Sequence, residues 1–182
     1  MGGRFGERVS SAAGIATVIR SARADDAARL AAAERQIARV PGRLASLPTE
    51  IGEASFRAKI EELATLQRGT FAVVEVGGVV VGHGSLDPLR LATTAHVVML
   101  SMAIHEGFQG RGLGRMLLDH LCEWATAHRA VEKIELHVRS SNPIAIALYQ
   151  RCGFQEEGRK RRRVKYREGY VDDVMMGKWV GT

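Results

Sequence analysis

A mixed α/β sheet with parallel pairing at its centre is the fold class this sequence predicts, and three observations predict it. Apolar runs of strand length are interspersed with amphipathic helical stretches along the chain. From Ala95 to Val138 a strand, a glycine-rich turn, a long helix pattern and a second strand follow one another, the order of a crossover that parallel neighbours require. The chain has 182 residues, 46% hydrophobic and 25% charged, which is the size and composition of one globular domain.

The elements follow in order. Residues 1–16 are rich in Gly, Ser and Ala without periodicity and predict a poorly ordered leader, with residues 17–182 forming a single domain. Thr17 to Arg20 reads as a short strand. Asp25 or Asp26 can cap a helix with Leu30, Ile37 and Val40 at helical spacing, stopped by Pro41-Gly42. A second helix from about Glu53 to Gln67 has Phe56, Ile60, Leu63 and Ala64 on one face. Phe71–Val76 and Val79–Leu86 flank Gly77-Gly78, a hairpin whose turn needs positive φ at both central residues. Ala95 to Ile104 is the next strand. From Gly112 to about His128, Leu113, Leu117, Leu121 and Trp124 form a stripe that Leu118, Cys122 and Ala125 widen, as in a helix packed on a sheet. Ile134, Leu136 and Val138 alternate with Glu135 and His137 in a half-buried strand. Asn142-Pro143 starts a last helix with a capping side chain and a first-turn proline, Gly153 ends it, and two strands at about 154–164 and 170–179 close the chain.

Composition excludes several classes. No apolar run reaches 18 residues and the first twenty residues lack a signal-peptide core, so a soluble, cytoplasmic protein without membrane association is expected. Cys122 and Cys152 stand on separate helix patterns without C-x-x-C or paired-histidine spacing, so no metal is expected and both read as buried free thiols. The net charge is +6, but seven basic residues fall between Arg159 and Arg167, and without them 19 basic residues face 20 acidic ones. That makes one positive patch and argues against a broad nucleic-acid face.

The most specific stretch is Phe108-Gln109-Gly110-Arg111-Gly112-Leu113-Gly114-Arg115, between a strand and a helix. Three alternate glycines allow a sharp turn whose N–H groups converge on an anion beside the positive helix start. The spacing is not the G-x-G-x-x-G of dinucleotide sites, and no Lys-Ser or Lys-Thr follows as in nucleotide-triphosphate loops. It fits Q-x-x-G-x-G, with Asn142, Tyr149 and Gly153-Phe154 downstream in the frame N-P-x-A-x-x-L-Y-x-x-x-G-F. Together these resemble the GNAT superfamily of acetyl-CoA-dependent N-acetyltransferases, over about Thr17 to Val180.

The resemblance implies a mostly antiparallel sheet whose central parallel pair splays apart, with acetyl-CoA as cosubstrate. It places the coenzyme pyrophosphate on Gln109, Gly110, Arg111, Gly112, Leu113, Gly114 and Arg115. The pantetheine arm would pair with Met102, Ala103 and Ile104, and Asn142 and Arg151 would add contacts. Tyr149 would be the general acid, its phenol (about 10) being close enough to a thiol (about 8.5) to protonate a developing thiolate. The carbonyl would be polarised by the backbone N–H of Met102 or Ala103. A base is harder to assign, since Val97, Val98, Met99 and Leu100 are apolar. His96 and His83 are candidates through water, Glu75 and Asp87 weaker ones, and His105 and Glu106 read as loop residues. The first two helices would flank the acceptor pocket, with Arg39 to Ser55 governing substrate choice.

The expected function is acetyl transfer to a small primary amine, first among candidates a free amino acid. The rivals are a protein N-terminal or lysine acetyltransferase and an acyl-CoA-binding regulatory module without turnover. The resemblance also makes a homodimer through the last strands plausible.

Overall fold

A computed structural model describes residues 8–12, 15–167 and 169–181 of the chain. The strands are β1 (Arg8–Ala12), β2 (Ile15–Ser21), β3 (Thr70–Val76), β4 (Val79–Pro88), β5 (Val97–Ile104), β6 (Lys133–Arg139), β7 (Gln155–Tyr166) and β8 (Gly169–Trp179). The longer helices are α1 (Ala27–Ala38), α2 (Glu53–Thr65), α3 (Leu113–Ala127) and α4 (Pro143–Arg151). One sheet runs in the order β1-β2-β3-β4-β5-β6-β8-β7. Every neighbouring pair in it is antiparallel except β5 and β6, which α3 connects.

Burial follows from the two periodicities. On one face, Leu117, Leu118, Leu121 and Trp124 of α3 pack on Val74, Leu100, Ile134 and Leu136, with Tyr149, Cys152 and Phe154 joining at α4. Gly84 allows that approach, since a Cβ there would lie 2.8 Å from Leu121 Cδ1. On the other face, Leu30 of α1 and Ile60 and Leu63 of α2 pack on Phe71 and Val73. Ala64, expected on the apolar face of α2, is exposed.

The amino-terminal expectation needs correction. Arg8–Ala12, read as part of an unstructured leader, pairs with β2 from Arg8↔Ile19 to Ala12↔Ile15, so the sheet extends below residue 17. Residues 1–7, 13 and 14 of that leader lie outside the described residues. A five-residue edge strand needs only backbone pairing, and it left no side-chain alternation to read.

Asp26 does not cap α1 as expected. Its carboxylate accepts from the Arg23 N–H at 2.7 Å and from Arg20 at 2.8 and 2.9 Å, while Arg20 also donates to Glu75. Burial alone would raise the Asp26 pKa, but the Arg20 and Arg23 bonds outweigh it and hold the carboxyl below its ordinary value. The folded-state pKa is depressed, so this stability is present above about pH 4 and is lost as the pH falls through the carboxyl's folded pKa. Asp26→Asn should cost on the order of 3 kcal/mol, because Arg20 is left buried with one carboxylate. Urea unfolding at pH 7 checks this, and a loss under 1 kcal/mol would mean that Glu75 alone suffices.

Candidate active site

The central pair opens toward the C-terminal ends of its two strands. β5 and β6 are paired from Val97↔Lys133 to Leu100↔Leu136 and no further, while β5 continues to Ile104 against β4 and β6 continues to Arg139 against β8. Backbone direction in the gap follows from the flanking bonds. The His105 N–H donates to the Val81 carbonyl of β4, and the His96 carbonyl accepts from Glu132 and Lys133 on the other side. Alternation then turns Ala103 toward β4 and aims the N–H and C=O groups of Met102 and Ile104 into the gap. Of the two N–H groups considered for polarising a carbonyl, that of Met102 is therefore the one in the opening. Of these the Ile104 carbonyl takes the Gln109 side chain, and the groups left unpaired can receive a ligand in extended form.

The glycine-rich loop closes one end of the gap. Gly110 and Gly112 have φ of 75° and 79°, and a Cβ on either would meet nothing within 4 Å, so both positions face open space. Gly112 precedes the first residue of α3, Leu113, whose side chain is buried under the sheet. Gly114, in the first turn, faces Leu148 and Ile104 at 3.5 and 3.6 Å from a built Cβ.

The polar side chains of this region differ in their freedom. Gln109 Nε2 donates to the Ile104 carbonyl at 3.0 Å and so braces the end of β5. Arg111 donates to the Gly107 carbonyl at 2.8 Å and lies over the Phe108 ring. Arg115 is held through Nε by Asp119 one turn along α3, at 2.8 and 2.9 Å. Asn142 caps α4, its Oδ1 accepting from the Ala145 N–H at 3.2 Å, and Arg151 is exposed at the other end of that helix.

Tyr149 is 8% exposed and packs edge-on against Phe154 at 5.7 Å. Its phenol oxygen has no hydrogen-bond partner among the described residues. Burial, with a smaller contribution from Cys152, pushes its pKa up to about 12.

Across the sheet, on the face covered by α1 and α2, a cavity of about 200 Å³ opens. Glu34 of α1, Ser55, Phe56 and Lys59 of α2, Phe71 of β3, His83 and Ser85 of β4 and Ser101 of β5 line it. His83 is 3% exposed and packs edge-on against Phe56 and stacked on Phe71, with Nε2 at 3.1 Å from Glu34 Oε1 and Nδ1 at 3.2 Å from His105 Nε2. Among the described residues, no histidine, cysteine and carboxylate group is arranged to hold a metal ion.

The base candidates separate clearly. His96 precedes β5 and stacks on Trp179, eight residues from Ile104, or roughly 26 Å along a strand, and is removed from the site. Glu75 is bound to Arg20, and Asp87 to Lys59 and Ser85. His105, read as a loop residue, is buried against His83, while Glu106 is exposed in the turn. Glu34, Lys59, Ser85 and Ser101 carried no signal of their own in the sequence.

Residues 39–52 lie beside the gap. Ser141 Oγ donates to the Gly42 carbonyl, Tyr166 Oη to the Leu44 carbonyl and Arg43 to Gln109 Oε1. The basic run on β7 thus contributes an anchor for this segment through Tyr166, while its Arg159 pairs with Glu156 and Asp172.

Comparison with known proteins gives consistent matches. The family model for the acetyltransferase (GNAT) family matches residues 42–154. The [ribosomal protein bS18]-alanine N-acetyltransferase of Salmonella typhimurium is 41% identical over 78 residues, 43% of this chain and 52% of that enzyme. The L-amino acid N-acetyltransferase AaaT of Escherichia coli is 28% identical over 103 residues, 57% of this chain and 64% of that enzyme. The chain spans about half the length of the curated relatives it matches first. The structure of yncA from Salmonella typhimurium, solved with its cofactor acetyl-CoA, superposes with a TM-score of 0.82 at 23% identity over 91% of this chain and 95% of that one.

Proposed function

The chain belongs to the acetyltransferase (GNAT) family, and from that premise we propose that it transfers the acetyl group of acetyl-CoA to the α-amine of a small, amino-acid-like acceptor. The observation that carries this reading is the gap beyond Leu100 and Leu136, which has a glycine cradle at one end and a polar cavity on the α1 and α2 face. Met102 and Ile104 present main-chain groups to an extended pantetheine arm. The loop from Gln109 to Arg115 receives the pyrophosphate, and Arg111 has the freer guanidinium of the two. The acetyl carbonyl is held by the Met102 N–H. Attack by the neutral amine forms the C–N bond, and the leaving thiolate takes its proton from Tyr149.

The cavity supports a small acceptor. Its roughly 200 Å³ is below the approximately 300–1,000 Å³ usual for ligand pockets. Glu34 and Lys59 place one charge of each sign on its walls, which matches the ammonium and carboxylate of an amino acid. The relative acting on a ribosomal protein's alanine favours a second reading, in which the same α-amine belongs to a protein N-terminus.

Both readings predict preference for an α-amine over a lysine side chain. A peptide α-amine differs from a lysine side chain by about 2.5 pKa units, or about 3.4 kcal/mol in the cost of presenting the neutral form, and a free amino acid, whose own carboxylate raises its amine pKa, differs by less. Near neutral pH, kcat/KM should be higher for α-amine acceptors in a matched set, with the gap narrowing toward pH 9. Thiol release measured from pH 6 to 9 tests this, and an ε-amine that wins at pH 7 would refute it. Comparison of a free amino acid with an N-terminal peptide then separates the two readings.

A further inference from the structure

The connection between α1 and α2 crosses the mouth of the gap. Three bonds from distant parts of the chain hold its residues 42–44, and they come from both sides of the opening. Ser141 Oγ, just past the end of β6 at Arg139, donates to the Gly42 carbonyl at 3.1 Å. Gln109, in the loop that follows the end of β5 at Ile104, accepts from Arg43 through Oε1 at 3.4 Å. Tyr166 Oη of β7 donates to the Leu44 carbonyl at 2.7 Å. Because β5 and β6 pair no further than Leu100 and Leu136, residues 42–44 form a strap from one diverging strand end to the other. Gly42 makes the close approach possible: it is buried with φ of 84°, and a Cβ there would lie 2.6 Å from Ser141 Oγ.

The strap brings a cation to the cradle. Gln109 Nε2 donates to the Ile104 carbonyl at 3.0 Å, which leaves Oε1 for the Arg43 guanidinium. The reverse amide orientation would set two acceptors together at Ile104 and two donors together at Arg43. A guanidinium has five N–H donors, and the bond to Gln109 uses one of them. Among the described residues Arg43 has no ion pair, whereas Arg115 is paired with Asp119 and Arg111 donates to the Gly107 carbonyl. An uncompensated positive charge therefore stands at Gln109, the residue before Gly110, on a loop whose Gly110 and Gly112 face open space. Main-chain N–H groups at a helix start, with an arginine fork beside them, suit a phosphate. The backbone of Arg43 is anchored on either side, at Gly42 and at Leu44, so a ligand has less ordering left to impose.

We propose that Arg43 binds the pyrophosphate of the coenzyme together with the N–H groups of the loop, and that Tyr166 is the positioning residue that sets Arg43 there through the Leu44 carbonyl. This rests on the acetyl-CoA reading of the cradle above. It gives the segment from Arg39 to Ser55, expected to govern substrate choice, a part in holding the coenzyme as well. It also gives the basic run on β7 a role that its charge alone does not supply, since Tyr166 acts through a neutral hydroxyl. The strap joins α1, which carries Glu34, to α2, which carries Lys59, so the coenzyme site and the acceptor cavity share one structural element.

The test is calorimetric titration with coenzyme A and with dephospho-coenzyme A, which keeps the pyrophosphate and lacks the 3′-phosphate. Arg43→Gln should weaken binding of both by about tenfold, the lower end for a bond to a charged group because this one lies at an exposed rim. Arg43 is exposed, so its replacement leaves no buried charge unpaired and the variant should fold. Tyr166→Phe should weaken binding by roughly threefold in the wild-type background and by less than about twofold once Arg43 is Gln, because its effect passes through Arg43. A residue that merely stabilised the fold would act alike in both backgrounds. Unchanged affinity in Arg43→Gln, a loss seen with coenzyme A and absent with dephospho-coenzyme A, or a Tyr166→Phe effect that is nil or equal in both backgrounds overturns the proposal and leaves the coenzyme reading standing. No binding of coenzyme A by the wild type overturns that reading itself.

Discussion

Gly112→Val should abolish measurable coenzyme A binding in a protein that still folds. Gly112 has φ of 79°, a region where a β-branched residue is strained by about 1–3 kcal/mol. It precedes α3, whose first N–H groups have no intrahelical acceptors and point into the loop. The valine side chain would enter the space that is open within 4 Å of the built Cβ, displacing the anion from those groups. Charge-assisted hydrogen bonds are worth about 1.5–3 kcal/mol each, so losing two weakens binding by roughly 10²–10⁴-fold. Gly78→Val is the control. Gly78 has φ of 78° with equally open surroundings, but it lies in the β3–β4 turn. Strain alone would act alike on both variants, and only the loop variant should lose affinity in calorimetric titration. Equal, near-native affinity in both would remove the loop from the site.

Tyr149→Phe should keep coenzyme affinity and stability and lose turnover. The phenol oxygen has no protein partner among the described residues, so its removal orphans nothing, and the ring keeps its packing on Phe154. With the pKa pushed up to about 12, the phenol carries its proton throughout pH 6–9 and is always ready to donate. The same shift makes donation to a thiolate of reference pKa about 8.5 less favourable than an ordinary tyrosine's would be. The fall in kcat is therefore placed near 10²-fold, the lower end of the usual range for general acids. Steady-state kinetics with KM for acetyl-CoA unchanged would establish the role, whereas a wild-type kcat would assign Tyr149 to packing at the end of α4.

What the sequence by itself determined was local or periodic. Gly77-Gly78 specified the β3–β4 turn because few other residues take positive φ twice in succession, and both do so here. Asn142-Pro143 specified the start of α4, since a capping oxygen and a proline in the first turn act within three residues. The strand, loop and wide-striped helix between Val97 and Ala127 specified the crossover and hence the parallel pair.

Tertiary structure decided which distant groups meet. Glu34 and His83 are 49 residues apart, and His83 and His105 are 22 apart. Their contacts depend on the β4–β5 register and on where α1 settles across the sheet. A shift of one residue in that register would turn His83 to the face of α3. Removing His96 likewise took geometry, because an α-carbon count along β5 does not say which end of the strand opens. Where β5 and β6 part is also a property of the sheet, as the backbone groups of Met102 and Ile104 are chemically the same as those of any strand. They become binding groups only because twisted neighbours on either side draw the two strands to different partners, and no side chain in the sequence records that divergence.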